Sequence, residues 1–276
     1  MKYDIFLSDF DGTLVRADGT VSEKNRAAIA KYRRAGGVFA VVTGRTLTSI
    51  LPRLKDLGIE EGLAVAFQGA TVADIATGKL LKDGGFSVAD SVRAVRLLEE
   101  ENVHLHIYTV NDFYCNRDDE GLKIYERICG VKATVIGDEP LSELIARKKL
   151  RIVKILAMVE KEERDGLNER VERALGAGYY VTRSAEYFVE ILPAGQTKGS
   201  AVEFLANHYG VPREKIAAIG DNYNDLPMLE RAGGKFAVAN AEPPLKKIAT
   251  VVSSNETDGV AEALRIAMEG FTGEKI

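Results

Sequence analysis

Short blocks of consecutive apolar residues, each closed by a polar or glycine-rich turn, punctuate both ends of this chain. Such blocks read as strands buried on both faces, and apolar positions three and four apart as helices. Tyr3 to Leu7 is the first strand, and Asp18-Gly19-Thr20 leads to a helix capped by Thr20 or Ser22 and running to about Ala35. Val38 to Val42 is a second strand, a helix follows to about Leu57, and Leu63 to Phe67 is a third strand. Pro52 fits that helix only near its first turn or at a kink. Strand and helix in alternation, with polar residues where each strand ends, predict a parallel sheet with its site along one edge.

The rhythm then changes. Thr71 to Lys82 reads as a hairpin turning at Thr77-Gly78, and Asp83-Gly84-Gly85 as a hinge. Ser87 to Glu101 is helical, Val103 to Thr109 alternates like a half-buried strand, Leu122 to Ile128 is a short helix and Lys132 to Ile136 a strand. Arg151 to Val159 is a longer strand, Glu162 to Leu175 a helix, and Tyr179 to Thr182 and Tyr187 to Ile191 are strands. Pro193-Ala194-Gly195 reads as the return hinge, after which the first rhythm resumes. Helices are expected over Lys198 to Tyr209, Leu226 to Ala232, from Pro243-Pro244, and over Asp258 to Met268, with strands at Ile216 to Ile219, Lys235 to Ala239 and Val251-Val252. The fold class is therefore α/β: a Rossmann-like parallel-sheet core of residues 1–83 and 192–276, with an α+β unit of two or three helices on one sheet, 84–191, inserted into it.

Composition narrows this little. At 276 residues, 46% hydrophobic and 28% charged, the chain has the make-up of a globular protein with a large core. A net charge of −4 argues against a nucleic-acid surface. No apolar run has membrane-spanning length and no signal peptide precedes the first strand, so the expected location is cytoplasmic. Cys115 and Cys129 form no disulfide framework and have no zinc-ligand spacing.

The chemistry lies at the strand ends. Asp9 and Asp11 stand two apart, so an extended backbone points them the same way, and Gly12 lets the chain turn sharply away. Paired carboxylates at the end of such a strand suit a divalent cation. Thr43 offers a hydroxyl beside Gly44, whose N–H can approach an oxyanion. Lys198 opens a helix, where its ammonium and the helix amino end both attract phosphate. Asp221, with Asn224 and Asp225 behind it, adds another carboxylate. Each alone is equally well a cap, a solvated lysine or a polar turn; all at element ends of one α/β pattern is a different matter.

Together these segments resemble the haloacid dehalogenase superfamily, in the Cof-like branch whose type IIB cap is inserted after the third strand. Asp9-Phe10-Asp11-Gly12-Thr13-Leu14, Thr43-Gly44-Arg45, Gly195-Gln196-Thr197-Lys198-Gly199 and Gly220-Asp221-Asn222-Tyr223-Asn224-Asp225 match its motifs in order. The resemblance implies a phosphatase of small phosphomonoesters such as sugar phosphates, phosphoglycolate or cofactor phosphates, in which Asp9 becomes an aspartyl-phosphate and Asp11 serves as acid and base. It implies Mg2+ held by Asp9, the Asp11 carbonyl and Asp221, phosphate bound by Thr43, Gly44, Lys198 and Asn224, and Asp225 positioning Asp221. Phosphosugar mutases share the motifs and are the nearest alternative; an idle binding protein is the remote one, since no motif carboxylate is missing. Many relatives carry Asn-Gly-Ala where this chain has Gln68-Gly69-Ala70, and the longer Gln side chain is assigned no contact. The insert would select the leaving group, with Arg45, His104, His106 and Tyr108 as candidate substrate contacts, the last three on one face of a strand or else on a solvated face. Two histidines with no third ligand nearby in sequence make a weak case for zinc.

Overall fold

A computed structural model describes residues 1–137 and 139–269; Asp138 of the insert and residues 270–276 of the expected core segment lie outside the described residues. The chain opens with β1 (Ile5–Ser8), α1 (Glu23–Arg34), β2 (Val38–Val41), α2 (Leu47–Asp56), β3 (Leu63–Ala66), β4 (Thr71–Asp74) and β5 (Leu80–Asp83). Ser22 and Thr46 cap the two helices through their hydroxyls. Pro52 lies inside α2, beyond its first turn, at the cost of a ladder hydrogen bond. The middle of the chain forms α3 (Val88–Glu100), β6 (His104–Tyr108), β7 (Phe113–Cys115), α4 (Glu120–Cys129), β8 (Thr134–Val135), α5 (Leu141–Lys148), β9 (Lys154–Met158), α6 (Lys161–Leu175), β10 (Tyr179–Ala185) and β11 (Phe188–Pro193). The last part supplies α7 (Lys198–Tyr209), β12 (Ile216–Gly220), α8 (Leu226–Arg231), β13 (Gly234–Val238), α9 (Pro243–Ile248), β14 (Thr250–Val252) and α10 (Gly259–Ala267).

The first and last parts build one parallel sheet in the order β14-β13-β12-β1-β2. Ile5 stands level with Val38 on one side and Ile216 on the other. The chain leaves β1 toward β2 and returns on its far side through β12, so β1 is the point where the order reverses. In open sheets of this kind, ligands bind beyond the carboxyl ends of the strands at that point. All of β1 and β12 is buried, as continuous apolar blocks predict.

The expected third parallel strand differs in one respect. β3 touches β2 through a single bridge, Val42 to Val65, and otherwise forms an antiparallel sheet, β3-β4-β5, with the hairpin that follows. Phe67 and Gln68 both take positive φ (49° and 57°), which ends the strand and turns the chain back.

The second large sheet, β10-β11-β9-β6-β7-β8, is built wholly from the inserted segment and its return. Leu98, Leu144 and Val171 of α3, α5 and α6 pack with Leu105, Ile107, Ile155 and Ile191 on one face. The opposite face contributes Tyr108, Phe113, Leu156 and Leu192, with Tyr125 of α4, to the cluster that includes the parallel sheet's core. β6 is therefore buried on both faces and not half-buried as its alternation predicts. The two sheets share a continuous apolar seam. Among the described residues, no helix is long and apolar enough to cross a membrane.

Candidate active site between the two sheets

β1 delivers Asp9 at its carboxyl end, where the Asp9 N–H bonds the Ile219 carbonyl of β12 (3.0 Å). Gly12 then turns the chain at φ +77°; a Cβ there would stand 2.7 Å from Asp221 Oδ2, so only glycine brings the two loops together. Thr13 Oγ1 closes that approach by donating to Asp221 Oδ1 (2.6 Å).

Lys198, in the first turn of α7, is almost wholly buried, and its Nζ donates to Asp9 Oδ1 (2.5 Å) and Asp225 Oδ1 (2.7 Å). Burial works against its charge, but Asp225 and Asp9 hold its pKa above the usual lysine range. Asp225 also accepts the N–H groups of Asp221 (2.9 Å) and Asn222 (3.0 Å), so both its oxygens are engaged. Asp9, Asp221 and Asp225 bring carboxylate oxygens within 4.8 Å of one another. Burial, then the Asp225 charge, raises Asp9 well above the ordinary carboxylate range and pushes Asp221 up to about 6.

The remaining expected residues gather around this centre. Arg45 grips Asp11 with both arms of its guanidinium (Nε to Oδ2 and Nη2 to Oδ1, each 2.7 Å) and lies over the Phe10 ring. Thr43 Oγ1 accepts the Arg45 N–H (3.2 Å). Asn224 Nδ2 donates to Gln68 Oε1 (3.0 Å), while its own Oδ1 is buried with no partner among the described residues.

A cavity of about 770 Å³ opens above these groups, between the parallel sheet and the second sheet. Asp9, Asp11, Thr43, Gly44, Arg45, Lys198 and Asn224 line its floor, and Ile124, Tyr125, Met158, Tyr187 and Phe188 its roof. Asp221 and Asp225 lie behind the floor. Of the three candidate contacts on β6, only His104 borders the cavity. His106 and Tyr108 are fully buried beneath α4 and so lie on neither a pocket wall nor a solvated face. Burial, with His104 and Lys154 near, keeps His106 well below the usual histidine range.

Several residues here escape a reading by motif. Gln68 Nε2 donates to Glu190 Oε2 (2.5 Å), and Glu190 is paired with Lys154 Nζ (3.0 Å), which also bonds the Gly44 carbonyl (2.8 Å). This buried chain ties β9 and β11 to the turn carrying Thr43 and Gly44. Its signal in the sequence is a charge in the middle of each of two apolar strands, where unpaired charges are rarely found.

A parallel sheet with a carboxylate, an ammonium and a second carboxylate at its reversal point, roofed by an inserted sheet, defines a class of α/β hydrolases. The chain belongs to the haloacid dehalogenase-like hydrolases, whose family model matches residues 6–264. It is 30% identical to Thermotoga maritima TM0651, whose crystal structure aligns with a TM-score of 0.79 over 96% of this chain and 97% of that one. A haloacid dehalogenase-like hydrolase from Bacillus subtilis gives 26% identity and a TM-score of 0.83, over 95% and 99% of the two chains. The Bacillus subtilis 5-amino-6-(5-phospho-D-ribitylamino)uracil phosphatase YwtE is 28% identical, over 92% of this chain and 94% of that one.

Proposed function

We propose that this enzyme hydrolyses small phosphomonoesters through Asp9, with residues 1–83 and 192–276 as the catalytic core and 84–191 as the cap that selects the leaving group. The observation that carries this reading is Asp9, buried on the cavity floor with one oxygen held by Lys198. An Asp9 oxygen attacks phosphorus, the ester P–O bond breaks, and Asp11, once protonated and turned out of the Arg45 fork that holds both its oxygens here, gives its proton to the departing alkoxide. Asp11 then takes a proton from water, whose oxygen displaces Asp9 from phosphorus and frees inorganic phosphate. Lys198 and Arg45 set positive charge around the phosphoryl group, while Thr43, the Gly44 N–H and Asn224 orient its oxygens.

The donor set also fits a magnesium ion. Asp9, Asp221 and Asp225 face one buried ammonium, and both Asp225 oxygens already accept hydrogen bonds, so we assign the ion to Asp9 and Asp221, with the Asp11 carbonyl added by the family resemblance. When bound, Mg2+ supplies the positive charge that lets an anionic nucleophile meet a phosphate dianion.

The roof sets apolar and aromatic side chains beside acidic ones, Asp119, Glu120, Glu160 and Glu186, which suits a leaving group with a ring that carries hydrogen-bonding edges. The ribitylamino-uracil phosphate named for YwtE has such a ring and supports this class. The test is phosphate release from a panel of small esters with Mg2+. Release that EDTA and Asp9→Asn both abolish is expected; no release from any ester would refute the reading.

A further inference from the structure

Three side chains converge beneath the roof of the cavity without a part in the chemistry above. His104 Nε2 and His106 Nε2 face each other at 2.7 Å, and Cys115 Sγ lies 3.2 Å from His104 Nε2. All three residues are buried, and their donor atoms fall within 4.8 Å of one another. The third donor comes from β7, which pairs antiparallel with β6 so that Cys115 stands level with His106.

The backs of both imidazoles are also engaged. Asp119 accepts from His104 Nδ1 through Oδ2 (2.8 Å) while its Oδ1 caps α4 at the Leu122 N–H (3.1 Å). His106 Nδ1 meets the Tyr108 hydroxyl at 3.0 Å. With protons on both Nδ1 atoms, both Nε2 lone pairs point into the same space as the sulfur. Outer partners of this kind orient the histidines of metal sites. The Arg117 N–H points at Cys115 Sγ (3.4 Å), a donor suited to a thiolate, and the Arg117 carbonyl lies 3.0 Å from the same sulfur, an acceptor suited to the thiol.

We propose that His104, His106 and Cys115 form a second metal site, for a borderline transition ion of the Zn2+ class, in the roof of the cavity. Two imidazoles and a thiolate select such an ion over Mg2+, whose preference is for oxygen. Tetrahedral Zn2+ sets nitrogens about 3.3 Å apart and sulfur about 3.6 Å from nitrogen, so the side chains separate by roughly half an ångström to receive it. Binding releases the Cys115 proton to solvent. Through Asp119 and the Tyr125 ring, 4.8 Å from that of His106, the ion would fix α4 against β6 and so set one wall of the leaving-group pocket.

Co2+ as the spectroscopic stand-in for Zn2+ tests this on the full-length protein. One equivalent is expected to give a tetrahedral spectrum with a thiolate-to-metal charge-transfer band that excess Mg2+ does not remove and that one equivalent of Zn2+ does. Cys115→Ser should lose the charge-transfer band and Cys129→Ser keep it, while Asp119→Asn should weaken binding about 10- to 100-fold. Absence of the band in the unmodified protein, or its displacement by Mg2+, would overturn the proposal without reference to any variant. Its persistence in Cys115→Ser would do the same. In either case the cluster is a hydrogen-bonded chain and nothing more.

Discussion

The floor and the roof of the cavity are built from opposite chemistries. The floor is oxygen and charge: carboxylates crowded at one strand reversal, held by Lys198 and by Arg45. The roof is largely rings and sulfur with an acidic edge: Tyr125, Tyr187, Phe188, Met158 and His104 on the cavity wall beside Asp119 and Glu186, with His106 and Cys115 behind them. The floor concentrates field where charge must move, and its geometry follows from short loops on a rigid sheet. The roof offers area and shape, which a family of enzymes can vary without touching the chemistry. The two are stitched together by a buried thread, Gly44–Lys154–Glu190–Gln68–Asn224.

Each part of that contrast can be broken separately. Lys198→Met removes the ammonium that holds Asp9 and is expected to lower kcat by about 10²- to 10³-fold, the scale of a lost charge-stabilising donor; steady-state kinetics checks it. Lys154→Met cuts the thread by leaving Glu190 buried without its cation. The pair is 2% and 3% exposed, so the loss should be about 3–5 kcal/mol in a denaturant titration. Lys154→Met with Glu190→Gln should recover much of it, because no unpaired charge then remains.

The pH dependence sharpens the picture of the floor. Asp221 titrates at about 6 in the fold against an ordinary 3.8, so the folded chain binds the extra proton between those values. Without metal, this group makes stability fall as pH rises from about 4 to about 6. Mg2+ competes with that proton and with the one on Asp9, whose pKa is raised as well, so its affinity should drop at least about tenfold per pH unit below about 6, measured by calorimetry. The smallest effect belongs to the roof. Tyr187→Ala should raise KM about five-fold for esters with a ring in the leaving group and leave kcat nearly unchanged.

The floor was legible in the sequence because it is local. Asp9 with Asp11, Thr43 with Gly44, and Asp221 with Asp225 each lie within one turn, and continuous apolar strands place them at the sheet edge. The roof depends on long-range packing. β7 is three residues long and α5 eight, too short for periodicity to register, and the β6 alternation does not reveal that α4 covers its second face. Cys115 meets His104 only through the β6–β7 register, and Lys154 meets Gly44 across 110 positions. Gln68 stood out in the sequence without a role; its positive φ and its bonds to Asn224 and Glu190 explain why an amide sits there.

The most direct test of the account is to quench the enzyme during turnover of its best ester and locate phosphoryl groups by peptide mass spectrometry. The account predicts a phosphoryl group on Asp9, absent from Asp9→Asn along with phosphate release. A phosphoryl group on another residue, or undiminished release by Asp9→Asn, would contradict it.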